Sequence, residues 1–419
     1  MDNPYFYVFC GFHHFSYNED NSKNDKEMER MTMSNLQTPF RYDFVGSFLR
    51  PEKLKAAKKA FEEGTITQEE LDRVTDECVT EIVAKQKAAG FHAITDGEFR
   101  RKFWHLDFMW GFEGIAHEKD GGGVQFNGEM ADLEATYLVG KVKAKAHPFV
   151  EYFKFLKQFE DEQTVAKYTI PAPAQMYQQM IVPQNIGQTR KFYVTDEELI
   201  EDIGKAYQDV IKQFYAAGCR NLQLDDCTWG AIVGDAAKQR YQSLGVDIEE
   251  VKARLLKVNN LALENRPEDM VITSHICRGN YHSTFFTSGP YDSVADYVFA
   301  QEHVDALLLE YDDERSGGFA PLAKVSPDKK VVLGLITTKK PELEDKDKVI
   351  ARIREAAKYI PLERLCLSPQ CGFASCEIGN KLTEDQQITV NGHNYAPVLH
   401  QNCMQPEQIT LYPLVIRQE

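Results

Sequence analysis

Val271-Ile-Thr-Ser-His-Ile-Cys277 is the stretch on which the reading of this chain turns. It opens on β-branched, apolar residues and is too short to make a useful helix, so it predicts a strand. Side chains alternate along a strand, so His275 and Cys277 face the same side where it ends. An imidazole and a thiol thus converge at the carboxyl end of one strand.

Seven further runs share this form: Phe44-Val-Gly-Ser47, Ala93-Ile-Thr-Asp96, Tyr168-Thr-Ile-Pro171, Asn221-Leu-Gln-Leu-Asp225, Ala306-Leu-Leu-Leu-Glu310, Val331-Val-Leu-Gly-Leu-Ile336 and Leu365-Cys-Leu-Ser368. Amphipathic segments separate many of them. Thr67-Gln-Glu-Glu70 and Thr195-Asp-Glu-Glu198 read as capping boxes that open helices. Gly90 and Gly218 stand where a left-handed stop is expected. Eight strand–helix repeats predict an α/β chain of the (β/α)8 TIM-barrel class, with its chemistry at the carboxyl ends of the strands. Polar residues gather there: Ser47, Asp96, Glu98, Asp225, Asp226, His275, Cys277, Glu310 and Cys371.

The division expected is an irregular extension over 1–39, a barrel over 40–384 and an atypical tail over 385–419 in place of a final helix. The extension holds a polar stretch, Asn18 to Glu27, that reads as disordered. It shows neither a basic start nor a small-residue cleavage site, so it does not read as a signal peptide. The chain has 419 residues and a formal net charge of −16, which argues against a nucleic-acid or anionic-membrane binder. No run nears the ~20 apolar residues of a membrane span. Nine cysteines, an odd number, fit a reducing, cytoplasmic setting with free or metal-bound thiols.

Glu310 closes the run after His275 and Cys277, and Cys371 follows the last run. Two thiolates, an imidazole and a carboxylate at neighbouring strand ends could make a tetrahedral zinc site. Each residue also has a plainer reading. His-x-Cys arises by coincidence, Glu310 could pair with Arg315, and Cys371, like Cys366 and Cys376, could be a small buried apolar residue. A dication with three anionic ligands keeps a net negative charge. Such a site is a poor Lewis acid for water but keeps a bound sulfur electron-rich, which suits thiol alkylation better than hydrolysis.

Val45-Gly-Ser-Phe48, Asp96-Gly-Glu-Phe99, Gln223-Leu-Asp-Asp226, His275-Ile-Cys-Arg-Gly-Asn280, Leu309-Glu-Tyr-Asp-Asp313, Gly334-Leu-Ile-Thr-Thr-Lys-Lys-Pro341 and Ser368-Pro-Gln-Cys-Gly-Phe373 occur in that order. Together they resemble the cobalamin-independent methionine synthase family, in its catalytic C-terminal barrel and its short, single-barrel members. The resemblance implies a zinc-dependent methyltransferase acting on a small thiol, homocysteine, with zinc ligands His275, Cys277, Glu310 and Cys371. It implies Ser47 for the substrate carboxylate, and Glu98 and Asp225 for its ammonium. Three departures accompany it. There is no room for the family's second barrel. The proton-donating His of the family's Gly-x-x-x-x-His-x-Pro segment is Lys339 here, and Lys is a poorer acid near neutrality. An aromatic platform for a pterin has no clear counterpart; Met176 and Tyr177 are possible wall residues that fit core packing better. The methyl donor is therefore left among methyltetrahydrofolate, methylcobalamin and an S-methyl compound. Another alkyl transfer, or a non-catalytic barrel that binds zinc or a corrinoid partner, remains the alternative, and a homodimer stays open.

Overall fold

A computed structural model describes residues 36–119 and 122–388. Most of 1–39 and of 385–419 therefore lies outside the described residues. Thr38 is within them, and its backbone N–H and hydroxyl both donate to Asn221 Oδ1, at 3.0 and 3.1 Å.

The apolar runs form the parallel strands. In chain order the strands are β1 (Ala93–Ile94), β2 (Glu113–Glu118), β3 (Gly123–Gln125), β4 (Met130–Asp132), β5 (Ala135–Lys143), β6 (Val165–Ala166), β7 (Tyr168–Pro171), β8 (Asn221–Asp226), β9 (Val271–Ile276), β10 (Ala306–Glu310), β11 (Lys330–Ile336) and β12 (Leu365–Pro369). Six of them make one parallel sheet in the order β12-β11-β10-β9-β8-β7. β6, one residue before β7, pairs in parallel with β1. The first run makes only an isolated parallel bridge, Tyr42 to Leu367 in β12. Its other flank meets the end of β1, where Phe48 N–H donates to the Gly97 carbonyl at 3.1 Å. Strands covered on both faces need apolar residues throughout, and β8, β10 and β12 are buried along their whole length.

Among the longer helices are α1 (Glu52–Glu62), α2 (Gln68–Ala88), α3 (Pro148–Lys157), α4 (Pro173–Ile181), α5 (Asp196–Ala216), α6 (Gly234–Ser243), α7 (Ile248–Leu263) and α8 (Lys346–Ala356). α5 buries Leu199, Ile203, Tyr207, Val210 and Phe214, a stripe at three- and four-residue spacing. Thr67 makes the expected capping box on α2. Thr195 caps α5, but the Glu198 carboxylate turns back to Val194 N–H. Gly90 and Gly218 take φ of 81° and 93°, the left-handed stop expected of them.

The strand–helix alternation is incomplete. Between β9 and β10 the longest helices are Asp292–Ala295 and Val298–Gln301, and between β10 and β11 there are only two 3-10 turns. Gly289-Pro290 and Gly317-Gly318 with Pro321 break these segments before a longer helix can propagate. A further departure is the antiparallel excursion of β2 with β5 and β3 with β4, inserted after β1.

Candidate metal centre

Strand register assembles the site. Asp225 is level with His275, His275 with Leu308, and Glu310 with Gly334, so the polar ends of β8, β9 and β10 share one rim. One ligand atom each of His275, Cys277, Glu310 and Cys371 falls within 4.8 Å of all the others, and all four residues are buried. The two sulfurs are 3.9 Å apart. Cys277 Sγ accepts from Gly279 N–H at 3.3 Å, and Glu310 Oε1 from Arg278 N–H at 2.9 Å. Both His275 ring nitrogens and Glu310 Oε2 are buried without a partner at hydrogen-bonding geometry. Orphaned polar atoms on one small set of donors are costly in a protein interior unless something else satisfies them.

The surroundings favour the protonated imidazole and thiols. Burial alone would push the His275 imidazole down, but Cys371 and Glu310 beside it outweigh burial and raise it. The Cys371 thiol is held well above its ordinary value by hydrogen bonding to Cys277 and by burial. A bound cation reverses this order, because it stabilises thiolate and neutral imidazole.

A cavity of about 310 Å³ opens onto these side chains. Ser47, Glu98, Asp225, His275, Cys277 and Cys371 all line it. Ser47 Oγ accepts from Ala374 N–H at 3.3 Å. Glu98 adopts φ of 62°, which is unfavourable for a residue with a side chain; conformations of this kind persist where the surroundings impose them. Its Oε1 accepts from the Thr169 hydroxyl at 2.8 Å and lies 3.2 Å from Arg101, while Oε2 is buried and unpartnered. Asp225 accepts from Gln223 at 2.7 Å, and burial together with the Glu98 charge pushes its carboxyl up to about 8. Two buried carboxyls facing one cavity make a receptor for a cation.

Lys339 is placed elsewhere. Its ammonium lies 3.5 Å from Asp312, whose other oxygen is 2.9 Å from Arg315, and Lys339 is not among the residues that line the cavity. Met176 and Tyr177 are buried in the core, with the Tyr177 hydroxyl 3.1 Å from Asp196. Cys366 packs with Val45, Leu308 and Val332, whereas Cys376 lines the cavity wall. The described cysteines are free. Sequence reasoning passed over Cys227, Gln175 and Tyr281, which also line the cavity. A signal existed for Cys227 alone, since it directly follows the rim residue Asp226.

Comparisons with known proteins bear on the family and the fold. The family model described as the catalytic domain of the cobalamin-independent synthase matches residues 42–384. The uncharacterized protein YxjH of Bacillus subtilis is 42% identical over 357 residues, covering 85% of this chain and 93% of that protein. A methionine synthase of Saccharolobus solfataricus is 24% identical over 329 residues, 78% of this chain and 86% of its own. The crystal structure of a putative vitamin-B12 independent methionine synthase from Listeria monocytogenes superposes with a TM-score of 0.66 at 35% identity, covering 85% of this chain and 97% of that one. No described helix is long and apolar enough to cross a membrane. The chain therefore belongs to the cobalamin-independent synthase family and is a methyltransferase.

Proposed function

We propose that this protein transfers a methyl group to the sulfur of homocysteine, giving methionine, with zinc held by His275, Cys277, Glu310 and Cys371. The observation that carries the reading is the convergence of four buried ligand atoms within 4.8 Å, with His275, Cys277 and Cys371 lining a cavity. The set fits zinc: one nitrogen, two sulfurs and one oxygen suit a borderline-soft dication, and neither ring nitrogen of His275 nor Glu310 Oε2 has a hydrogen-bond partner. Zinc bound there would keep a substrate sulfur as a nucleophilic thiolate near neutral pH.

The remaining work falls to the chain's own residues. Glu98 and Asp225 face the cavity as a carboxyl pair and would take the amino acid's ammonium, which relieves their mutual repulsion. Ser47 would hold its carboxylate through the hydroxyl. Anchoring both ends of a short thiol fixes where its sulfur lies, and orientation supplies much of the rate. The donor's methyl group must reach that sulfur through the same cavity. Methyltetrahydrofolate, methylcobalamin and an S-methyl compound are the three donor types to be tried. Lys339, the sequence-derived proton donor, would need to leave Asp312 to serve a folate nitrogen.

We take 40–384 as the catalytic unit, with its parallel strands closed into an eight-stranded barrel. The Tyr42–Leu367 bridge and the β1–β6 pair join the two edges of the six-stranded sheet to one another's neighbours. Val45 packs with Leu308, Val332 and Cys366, so the first run lies against the β10–β12 edge of the sheet. The free thiols suit a cytoplasmic setting.

The test has two parts. Cys277→Ser or Cys371→Ser should abolish stoichiometric zinc by atomic emission, while Cys366→Ser should retain it. Zinc-loaded protein with homocysteine should form methionine, detected by mass spectrometry, from at least one of the three donor types. Full zinc in the first two variants, or no methionine from any donor, refutes the reading.

A further inference from the structure

Three buried side chains close a triangle behind the cavity. The Thr169 hydroxyl in β7 donates to Glu98 Oε1 at 2.8 Å, and Arg101 Nη1 lies 3.2 Å from the same oxygen. Arg101 Nη2 in turn donates to the Thr169 carbonyl, while its guanidinium lies 4.8 Å and 5.4 Å from the ring centres of Phe149 and Tyr168. The backbone beneath is tied as well. Arg50 Nη2 donates to the Glu98 carbonyl at 2.8 Å, and Glu98 N–H donates to Asp96 Oδ1 at 2.9 Å. Arg101 Nη1 is near Glu98 but not at hydrogen-bonding geometry. Among the described residues, the Thr169 hydroxyl is therefore the directional tie on the Glu98 carboxylate.

That tie occupies Oε1 and leaves Oε2, buried and unpartnered, as the bare oxygen of a residue that lines the cavity. Asp225, the other carboxyl, is held in the same manner from the next strand. The β7–β8 register sets Thr169 level with Gln223, and Gln223 Nε2 donates to Asp225 Oδ1 at 2.7 Å. Each acid thus has one oxygen held by a neutral donor at the same level of adjacent strands. A carboxylate that rotates freely spreads its charge over many positions. Fixing one oxygen fixes the other, and this preorganisation makes a carboxylate a receptor for a cation at one place.

We propose that Thr169 is a positioning residue that sets the preference of this site for thiols carrying an α-ammonium, by holding Oε1 so that Glu98 Oε2 meets the ligand's N–H. The proposal rests on the reading above in which Glu98 takes the amino end of the thiol. Thr169 does not itself line the cavity, so it acts only through Glu98. Its hydroxyl, being uncharged, orients the carboxylate without neutralising it.

The experiment titrates zinc-loaded wild type, Thr169→Val, Thr169→Ser and Glu98→Gln calorimetrically with homocysteine and with γ-mercaptobutyrate, which is homocysteine without its amine. Val keeps the branched shape of Thr and lacks the hydroxyl. Thr169→Val should bind homocysteine about tenfold more weakly, the effect of one lost hydrogen bond to a charged group, and should bind γ-mercaptobutyrate as wild type does. Thr169→Ser, which still donates, should recover most of the homocysteine affinity. Thr169→Ala, a second variant without the hydroxyl, should repeat the Thr169→Val result, with zinc content and circular dichroism as controls on the fold. Equal weakening of both thiols in Thr169→Val, or homocysteine affinity equal to wild type, overturns the proposal; loss of discrimination in Glu98→Gln then shows that the underlying reading still stands. Undiminished discrimination in Glu98→Gln, or a wild type that binds the two thiols equally, overturns the reading of Glu98 and the proposal with it.

Discussion

Replacing Glu302 with Gln should remove a large part of the protein's loss of stability at alkaline pH. Glu302 is fully buried, and burial, reinforced by the nearby Asp226 charge, pushes its carboxyl from an ordinary 4.5 up to about 8. Asn259 Nδ2 bridges the two acids, donating to Asp226 Oδ2 at 2.9 Å and to Glu302 Oε1 at 2.7 Å. The folded protein binds this proton more tightly than the unfolded chain does. Stability from it is therefore fully present below about 4.5 and is lost as pH rises, until the folded carboxyl itself ionises near 8. At 1.36 kcal/mol per pH unit, Glu302 alone removes about 2.7 kcal/mol between pH 6 and pH 9. Asp225, also near 8, adds its own slope to wild type and variant alike. Urea unfolding at pH 6, 7, 8 and 9 would compare the two proteins. A different starting stability of the variant at pH 6 leaves the comparison intact, because only the slopes are compared. Its curve should fall about 2–3 kcal/mol less by pH 9. Parallel curves across that range would show that Glu302 is ionised in the fold at neutral pH, and would refute the reasoning.

Gly230→Ala should expel zinc, because its Cβ would come 2.0 Å from the Cys277 carbonyl oxygen and must displace that ligand's backbone; metal content by atomic emission, with circular dichroism as a folding control, checks it. Asp225→Asn should raise KM for the amino-acid thiol about ten- to hundredfold with a smaller change in kcat, as expected for losing one charge-assisted contact of about 1.5–3 kcal/mol. Steady-state kinetics decides, and an unchanged KM would remove Asp225 from substrate binding. Lys167→Met should cost about 3–5 kcal/mol in urea unfolding, because it strands Asp43, which lies 2.6 Å from the Lys167 ammonium with both side chains almost completely buried.

What the sequence disclosed of the site follows from the period of a strand. His275 and Cys277 are two residues apart on β9 and must share a face, and Glu310 terminates β10, so parallel register alone carries these residues to one rim. Cys371, beyond the end of β12, was reached only as a cysteine that follows the last run, a weaker signal, because nothing periodic fixes a loop residue. The same reason hid Cys227, whose place depends on Gly230 packing against Cys277. The antiparallel excursion was largely illegible, because β3 and β4 are short and β5 is partly exposed. Lys339 shows the opposite limit. Its position in the Gly334–Pro341 segment suggested a group facing the reaction, but a buried ammonium goes where a counter-charge can hold it. Asp312, itself bound to Arg315, provides that charge, and Arg315 in turn reaches to 3.9 Å from Glu310. Spacing along a chain can bring a residue to the rim of the sheet, but the charges already in place there decide which way its side chain turns, and here they tie Lys339, through Asp312 and Arg315, to the Glu310 side of the four-residue cluster.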